Sequence, residues 1–173
     1  DDVMQAVSQN IRNQGDDYIP KLFTFVQLVM GVNKNAAQYA TAGTAKKFWG
    51  SWRELEDKEM DIGQIVNKPL SRDQKESLFS GEFAAARQYF EKLESAERLV
   101  TEQDRAIYSL CRPERLLELA YRFTLVDSGI KKIARYQQFF VVRSILRRIK
   151  CLDHNNRMPG GIIWHTQGSG KSL

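Results

Sequence analysis

Seven consecutive residues, Thr166-Gln167-Gly168-Ser169-Gly170-Lys171-Ser172, bring together two glycines, a lysine and a terminal hydroxyl. Glycines let the backbone turn until successive N–H groups face one concavity, and such a concavity binds phosphate. The Lys171 ammonium is long enough to reach the β and γ phosphates of a nucleotide, which makes it the candidate catalytic residue. The Ser172 hydroxyl can ligand the Mg²⁺ that bridges them. The expected cofactors are therefore ATP and Mg²⁺, with Thr166, Gln167, Gly168, Ser169, Gly170, Lys171 and Ser172 as the nucleotide-binding loop. His165 occupies the place of the first glycine in G-x-x-x-x-G-K-[ST].

Three other groups of residues could do chemistry. Tyr136-Gln137 precedes the loop, and a glutamine amide can pair with both a donor and an acceptor on an adenine edge. Gln137 is the candidate and Gln138 the reserve, although a glutamine on an amphipathic helix is commonly just solvated. Glu56-Asp57-Lys58 has the Glu-x-Lys spacing of a metal nuclease centre. Such a centre needs the pair on a strand beside a second carboxylate, and the acidic, non-alternating surroundings of Glu56 read instead as a solvated charge run. Cys111 and Cys151 have no CxxC spacing and read as two reduced thiols, so a cytoplasmic location is expected.

These residues need positioning elements. Gly161–Trp164 (GIIW) reads as a short apolar strand feeding the phosphate loop. Ile130–Lys150 reads as one long helix with Phe139, Val142, Leu146 and Ile149 inward. Pro113 suits the first turn of a helix, Phe123–Val126 reads as a short strand, and Asp127-Ser128-Gly129 as a turn. Ser71 and Gln74 have capping-box spacing. They open a helix, or two with a break, running to about Leu110, with Phe79, Phe83, Ala86, Phe90 and Leu93 on one stripe. Arg53–Lys68 reads as an acidic linker. Upstream, Lys21–Val32 and Ala37–Thr44 read as a strand hairpin turning at Asn33-Lys34-Asn35, and Asp2–Asn13 as a short helix. Lys47–Trp52 holds three aromatics, expected as a plug on a domain edge.

The 173 residues suffice for one domain or parts of two, and the 42% hydrophobic and 27% charged content is that of an ordinary globular chain. No run approaches the ~18 apolar residues of a membrane span. The net charge is +5, unevenly spread: Arg112–Lys150 has ten Lys/Arg against three Asp/Glu, Asp1–Cys111 fourteen against seventeen. That asymmetry implies a polyanionic partner. The candidate contacts are Lys131, Lys132, Arg135, Arg143, Arg147 and Arg148, phosphate-directed and salt-sensitive.

GGIIWHTQGSGKSL, with Trp-His-Thr running into the Gly-Ser-Gly-Lys-Ser loop, resembles motif I of the motor subunits of type I restriction-modification enzymes. RPERLLELAYRFTLVDSGIKKIARYQQFFVV resembles the segment before it, and IPKLFTFVQLVMGVNKNAAQYATAGTAKKFW the end of the same family's nuclease domain. The three blocks occur in the family's order and cover most of the chain. The resemblance implies a mixed α/β fold: the end of a PD-(D/E)xK-like nuclease domain over 1–52, an acidic linker and helical connector over 53–111, and the start of a RecA-like lobe over 112–173. It implies a piece of a longer, ATP-dependent protein that translocates and cuts double-stranded DNA, working with methyltransferase and specificity subunits. Motif I in helicase-like motors resembles A-x-x-G-x-G-K-[ST], which accounts for the missing first glycine, although His165 is not alanine either. Such motors place a glutamine ahead of motif I, the role expected of Gln137. The family's Gln-x-x-x-Tyr motif places Gln9 in a supporting role at the nuclease site, while Asn13 stands where the tyrosine belongs.

Overall fold

Asp2 opens the first helix by accepting a hydrogen bond from the Met4 N–H at 3.0 Å, satisfying one of the free amides of the first turn. Helix α1 (Val3–Asn13) buries Val3 and Val7 and turns its polar face outward. The computed structural model describes residues 2–57, 59–151, 156–158 and 160–164. Within them it forms seven α-helices and two antiparallel two-stranded sheets, a mixed α/β architecture.

Strands β1 (Val29–Val32) and β2 (Ala37–Ala40) pair with Val29 opposite Ala40 and Val32 opposite Ala37. The Asn33 side chain closes the turn by accepting from the Asn35 and Ala36 amides at 2.9 and 2.8 Å. Helix α1 lies so close to β1 that a Cβ at Gly31 would come within 3.1 Å of Val7 Cγ2 and 3.2 Å of the Val7 nitrogen. Any side chain there would press on Val7, and Val7, Val29, Ala40 and Trp49 form a small core around the contact. The expected hairpin is present but shorter at both ends. Pro20, with φ fixed and no N–H to give a ladder, starts a 3-10 turn (Pro20–Phe23) where strand was expected. β2 stops at Ala40, before the turn whose Gly43 has φ of +81°.

The region read as a linker contains helix α2 (Glu59–Val66), anchored by buried Ile62. The Ser71–Gln74 capping box forms as expected and opens α3 (Arg72–Leu78). The expected stripe then breaks. Gly81 has φ of +56°, a 3-10 turn comes next (Gly81–Ala86), and α4 (Arg87–Glu94) starts afresh. Phe79 and Phe90 still meet at 5.3 Å, but Phe83 is left exposed. A second capping box, Thr101–Asp104, opens α5 (Glu102–Cys111). The Asp104 carboxyl also takes two hydrogen bonds from Arg98, each 2.8 Å, which hold its pKa down to about 2 against the opposing effect of burial.

Pro113 does start helix α6 (Pro113–Arg122). The single long helix expected from Ile130 is corrected by a second hairpin. Strand β3 (Thr124–Asp127) pairs with β4 (Ile130–Ile133) through a turn in which Ser128 and Gly129 have φ of +51° and +77°. Two successive positive φ values are what a two-residue hairpin of right-handed twist requires. Only then does α7 (Tyr136–Lys150) begin. Of the four residues expected inward, Phe139 is fully buried, joined by its neighbour Phe140, while Val142, Leu146 and Ile149 stay 38–44% exposed. Gly161–Trp164 is not a strand, and Ile162 and Trp164 are about 90% exposed. A strand needs a neighbour for its backbone groups, and no described strand lies beside it.

The larger core joins Tyr39, Leu110, Leu119, Phe139 and Phe140, with Trp52 and Phe123 packed against it. It thus draws side chains from all three expected segments. Trp52, expected as an edge plug, meets Tyr39, Phe139 and Phe140 at 5.3–5.7 Å, largely edge-on. The buried Tyr39 hydroxyl donates to the Ala134 carbonyl at 2.8 Å, tying the first hairpin to the start of α7. No described helix is long and apolar enough to cross a membrane.

Candidate functional site

Helix α7 organises the candidate site. Its first turn presents Tyr136, Gln137 and Gln138 in sequence. The Gln138 side chain is already used: its carbonyl accepts from the Arg135 N–H at 2.8 Å and caps the helix. Gln137 is different. Its Oε1 is buried and has no hydrogen-bond partner. A buried acceptor left unpaired costs on the order of 1–3 kcal/mol, and an exocyclic amino group of a nucleobase is a donor that would satisfy it. The residues present therefore fit an adenine at this end of α7. Tyr136, beside it, packs against the aromatic core, which fixes the helix start. Beside this turn a cavity of about 200 Å³ is lined by Arg122, Phe123, Leu125, Lys132, Ile133 and Gln138, among others.

The phosphate loop itself, Thr166, Gln167, Gly168, Ser169, Gly170, Lys171 and Ser172, with His165 before it, lies outside the described residues. So does Lys58 of the Glu-x-Lys triplet. Gly160 is joined to α7 where its carbonyl accepts from Arg148 Nε at 2.7 Å.

The six basic residues expected to contact phosphate do not share one helix face. Lys131 and Lys132 belong to β4, Arg135 caps α7, and Arg143, Arg147 and Arg148 lie along the helix. Most are engaged. Lys131 donates to the Val26 carbonyl and Gln27, and Lys132 pairs with Asp127 at 2.6 Å. Arg143 and Arg147 both reach Glu56, at 2.8 and 3.1 Å. Gln9 sits exposed on the outer face of α1.

Glu56 is thus an exposed charge, as expected, that also serves as a hub of ion pairs. Besides those two arginines it faces Arg115 at 3.8 Å. Arg115 is 5% exposed and pairs at 3.0 Å with Glu54, whose side chain is 8% exposed. Its guanidinium also lies over Phe139 at 4.6 Å and over Trp52 and Phe140 at 5.4 Å. Burial pushes the Glu54 carboxyl up. Hydrogen bonds from the Glu56 amide, Arg115 and Trp52, with the Arg115 charge, outweigh burial and hold it below the ordinary carboxylate range. Sequence reading missed this network because its partners are 61 and 87 positions apart. The only local signal was an arginine on the otherwise apolar face of α6.

Comparison with known proteins places these features in context. The family model described as SWI2/SNF2 ATPase matches residues 137–173, beginning at Gln137 and including the phosphate loop. The type I restriction enzyme HindI endonuclease subunit of Haemophilus influenzae is 39% identical over 70 residues, 37% of this chain. The matched stretch is 7% of that protein's length. No solved structure matches. The chain is accordingly similar to an ATPase family over its last 37 residues and, over a longer stretch, to a type I restriction endonuclease subunit.

Proposed function

We propose that this chain is part of the motor and restriction subunit of a type I restriction enzyme, which translocates and cleaves unmodified double-stranded DNA at the expense of ATP. The observation that carries the reading is at the start of α7. The ATPase similarity begins at Gln137, the residue whose buried carbonyl lacks a partner, and ends on a Gly-Ser-Gly-Lys-Ser loop. In this reading Gln137 and Tyr136 hold the adenine side, and Thr166–Ser172 cradles the phosphates. Lys171 stabilises charge developing on the γ phosphate, and Ser172 ligands Mg²⁺. Residues 1–52 close a nuclease domain in which Gln9 supports the metal site, 53–111 connect, and 112–173 open a RecA-like lobe. Lys131, Lys132, Arg135, Arg143, Arg147 and Arg148 face DNA. Methyltransferase and specificity subunits are the partners, and the complex works in the cytoplasm.

The test is DNA-stimulated ATP hydrolysis by the reconstituted full-length complex, unaltered against Lys171→Ala. A fall of roughly 100-fold or more in hydrolysis, with DNA cleavage lost alongside it, is the expected result. Unchanged hydrolysis removes Thr166–Ser172 from the working site and the proposal with it. The second reading is a DNA translocase without nuclease action, favoured by the SWI2/SNF2 similarity. It predicts hydrolysis lost in Lys171→Ala and no cleavage by the unaltered complex.

A further inference from the structure

Helix α7 begins at a peptide plane that is held at both ends. The plane joins Ala134 to Arg135, and its planarity makes the Ala134 carbonyl and the Arg135 N–H turn together. The carbonyl accepts from the Tyr39 hydroxyl at 2.8 Å. The N–H donates to Gln138 Oε1 at 2.8 Å, the bond that caps the helix. The plane before it is fixed as well, because the Ala134 N–H donates to the Phe123 carbonyl at 2.8 Å. Gln137 follows one turn inside the helix. Its buried carbonyl has no hydrogen-bond partner among the described residues.

Of these three hydrogen bonds, the one from Tyr39 comes from far away in the chain, 95 positions before Ala134. Its donor is rigid. Tyr39 is 3% exposed, and its backbone exchanges two hydrogen bonds with Gly50, at 2.8 and 3.0 Å. Its ring meets Trp52 edge-on at 5.7 Å, and Trp52 in turn meets Phe139 and Phe140 of α7. Burial pushes the hydroxyl pKa up, so the group stays protonated and able to donate. Apolar packing of Tyr136 and Phe139 sets where the helix lies. A hydrogen bond is directional in a way that apolar packing is not. The Tyr39 bond therefore sets how the first turn is rotated.

We propose that Tyr39 is a positioning residue for base selection: its hydroxyl fixes the rotation of the Ala134–Arg135 plane and so aims the Gln137 carbonyl at the exocyclic amino group of adenine. The assignment rests on the adenine role proposed for Gln137. It gives a residue of the first hairpin, in the segment proposed to close the nuclease domain, control over the nucleotide preference of the motor. Tyr39 acts only through the helix start and not by touching the nucleotide. A carbonyl that drifts from its aim loses the near-linear N–H···O geometry on which the bond to the amino group depends. A purine without that amino group has no such bond to lose.

The experiment measures DNA-stimulated hydrolysis of ATP and of purine riboside triphosphate, which has hydrogen in place of the amino group, by the reconstituted full-length complex. Tyr39→Phe removes only the hydroxyl. It should raise KM for ATP and leave kcat at saturating nucleotide unchanged, the mark of a contact made equally in ground and transition states. The preference for ATP over the analogue, taken as the ratio of kcat/KM values, should fall roughly 10-fold, within the ~100-fold cost of a misplacement of about 1 Å. Gln137→Ala should abolish the preference. Adding Tyr39→Phe to it should lower the ratio no further, because the hydroxyl then has no amide to aim. Partial unfolding lowers the active fraction for both nucleotides alike and leaves the ratio where it was. An unchanged ratio in Tyr39→Phe, with the preference still lost in Gln137→Ala, overturns the positioning role and leaves the proposed function standing. A ratio that Gln137→Ala does not move overturns the adenine role of Gln137 and this inference with it, while Lys171→Ala still decides the phosphate loop by itself.

Discussion

Arg115→Met is the substitution that tests the core most directly. Methionine fills much of the space of the arginine stem but removes the guanidinium, leaving Glu54 buried with no cation at 3.0 Å. Breaking a buried pair by removing one partner costs about 3–5 kcal/mol, because the remaining charge is stranded away from water. The packing over Phe139, Trp52 and Phe140 adds to the loss. Arg115→Met/Glu54→Gln removes the stranded charge and should recover about half or more of the deficit, since a buried pair is worth little over a neutral replacement. Urea unfolding of the single and double variants measures both.

The pH dependence gives an independent readout. In the unaltered protein the folded-state pKa of Glu54 is lowered, so its stabilisation is present above the ordinary Glu value of about 4.3 and is lost as the pH falls through the folded-state value. Without Arg115 both the charge and the hydrogen bond of its guanidinium are lost, so that pKa moves upward from its value in the unaltered protein. The charged carboxylate is then less favoured in the folded state, so less stability is lost on acidification. The loss of stability as the pH falls through the carboxylate range should therefore be smaller in Arg115→Met than in the unaltered protein. A single-variant loss under about 1 kcal/mol, with no change in pH dependence, would refute the view that Glu54–Arg115 is a dry, coupled pair.

The same packing makes three further outcomes testable. Gly31→Ala forces a methyl against Val7 and should cost about 1–3 kcal/mol by thermal unfolding; a neutral result would mean α1 can slide from β1. Tyr39→Phe leaves the Ala134 carbonyl without its donor and should cost about 1–2 kcal/mol, detected as faster amide exchange at the start of α7. Glu56→Gln releases Arg147, which is 67% exposed, and leaves Arg143 only its 3.8 Å contact with Glu118, at little cost in stability. It should steepen the salt dependence of DNA binding by roughly 1, and an unchanged slope would remove these two arginines from the candidate contacts.

What could be read from the sequence was local. The Ser71–Gln74 capping box, the Pro113 helix start, the Asn33 turn and the β1–β2 hairpin depend on residues within a few positions of one another. Short-range hydrogen bonds and the fixed φ of proline decide such features before any core exists. The reading of Gly168–Ser172 rests on consecutive residues in the same way, and these residues lie outside the described ones. Where charge and helical period were used alone, the reading went astray. The run from Ile130 has helical spacing, yet Ser128 and Gly129 at positive φ fold its first four residues back as β4. The stripe from Phe79 has helical spacing too, and Gly81 interrupts it.

The tertiary structure alone decided which charges are spent. Glu54 and Glu56 belong to an acidic stretch that looks solvated in the sequence, and only the approach of α6 and α7 brings Arg115, Arg143 and Arg147 onto them. Composition fixes how many charges a chain carries. Pairing depends on distance and burial, which only the assembled core supplies, so residue types alone do not say which charges end in ion pairs.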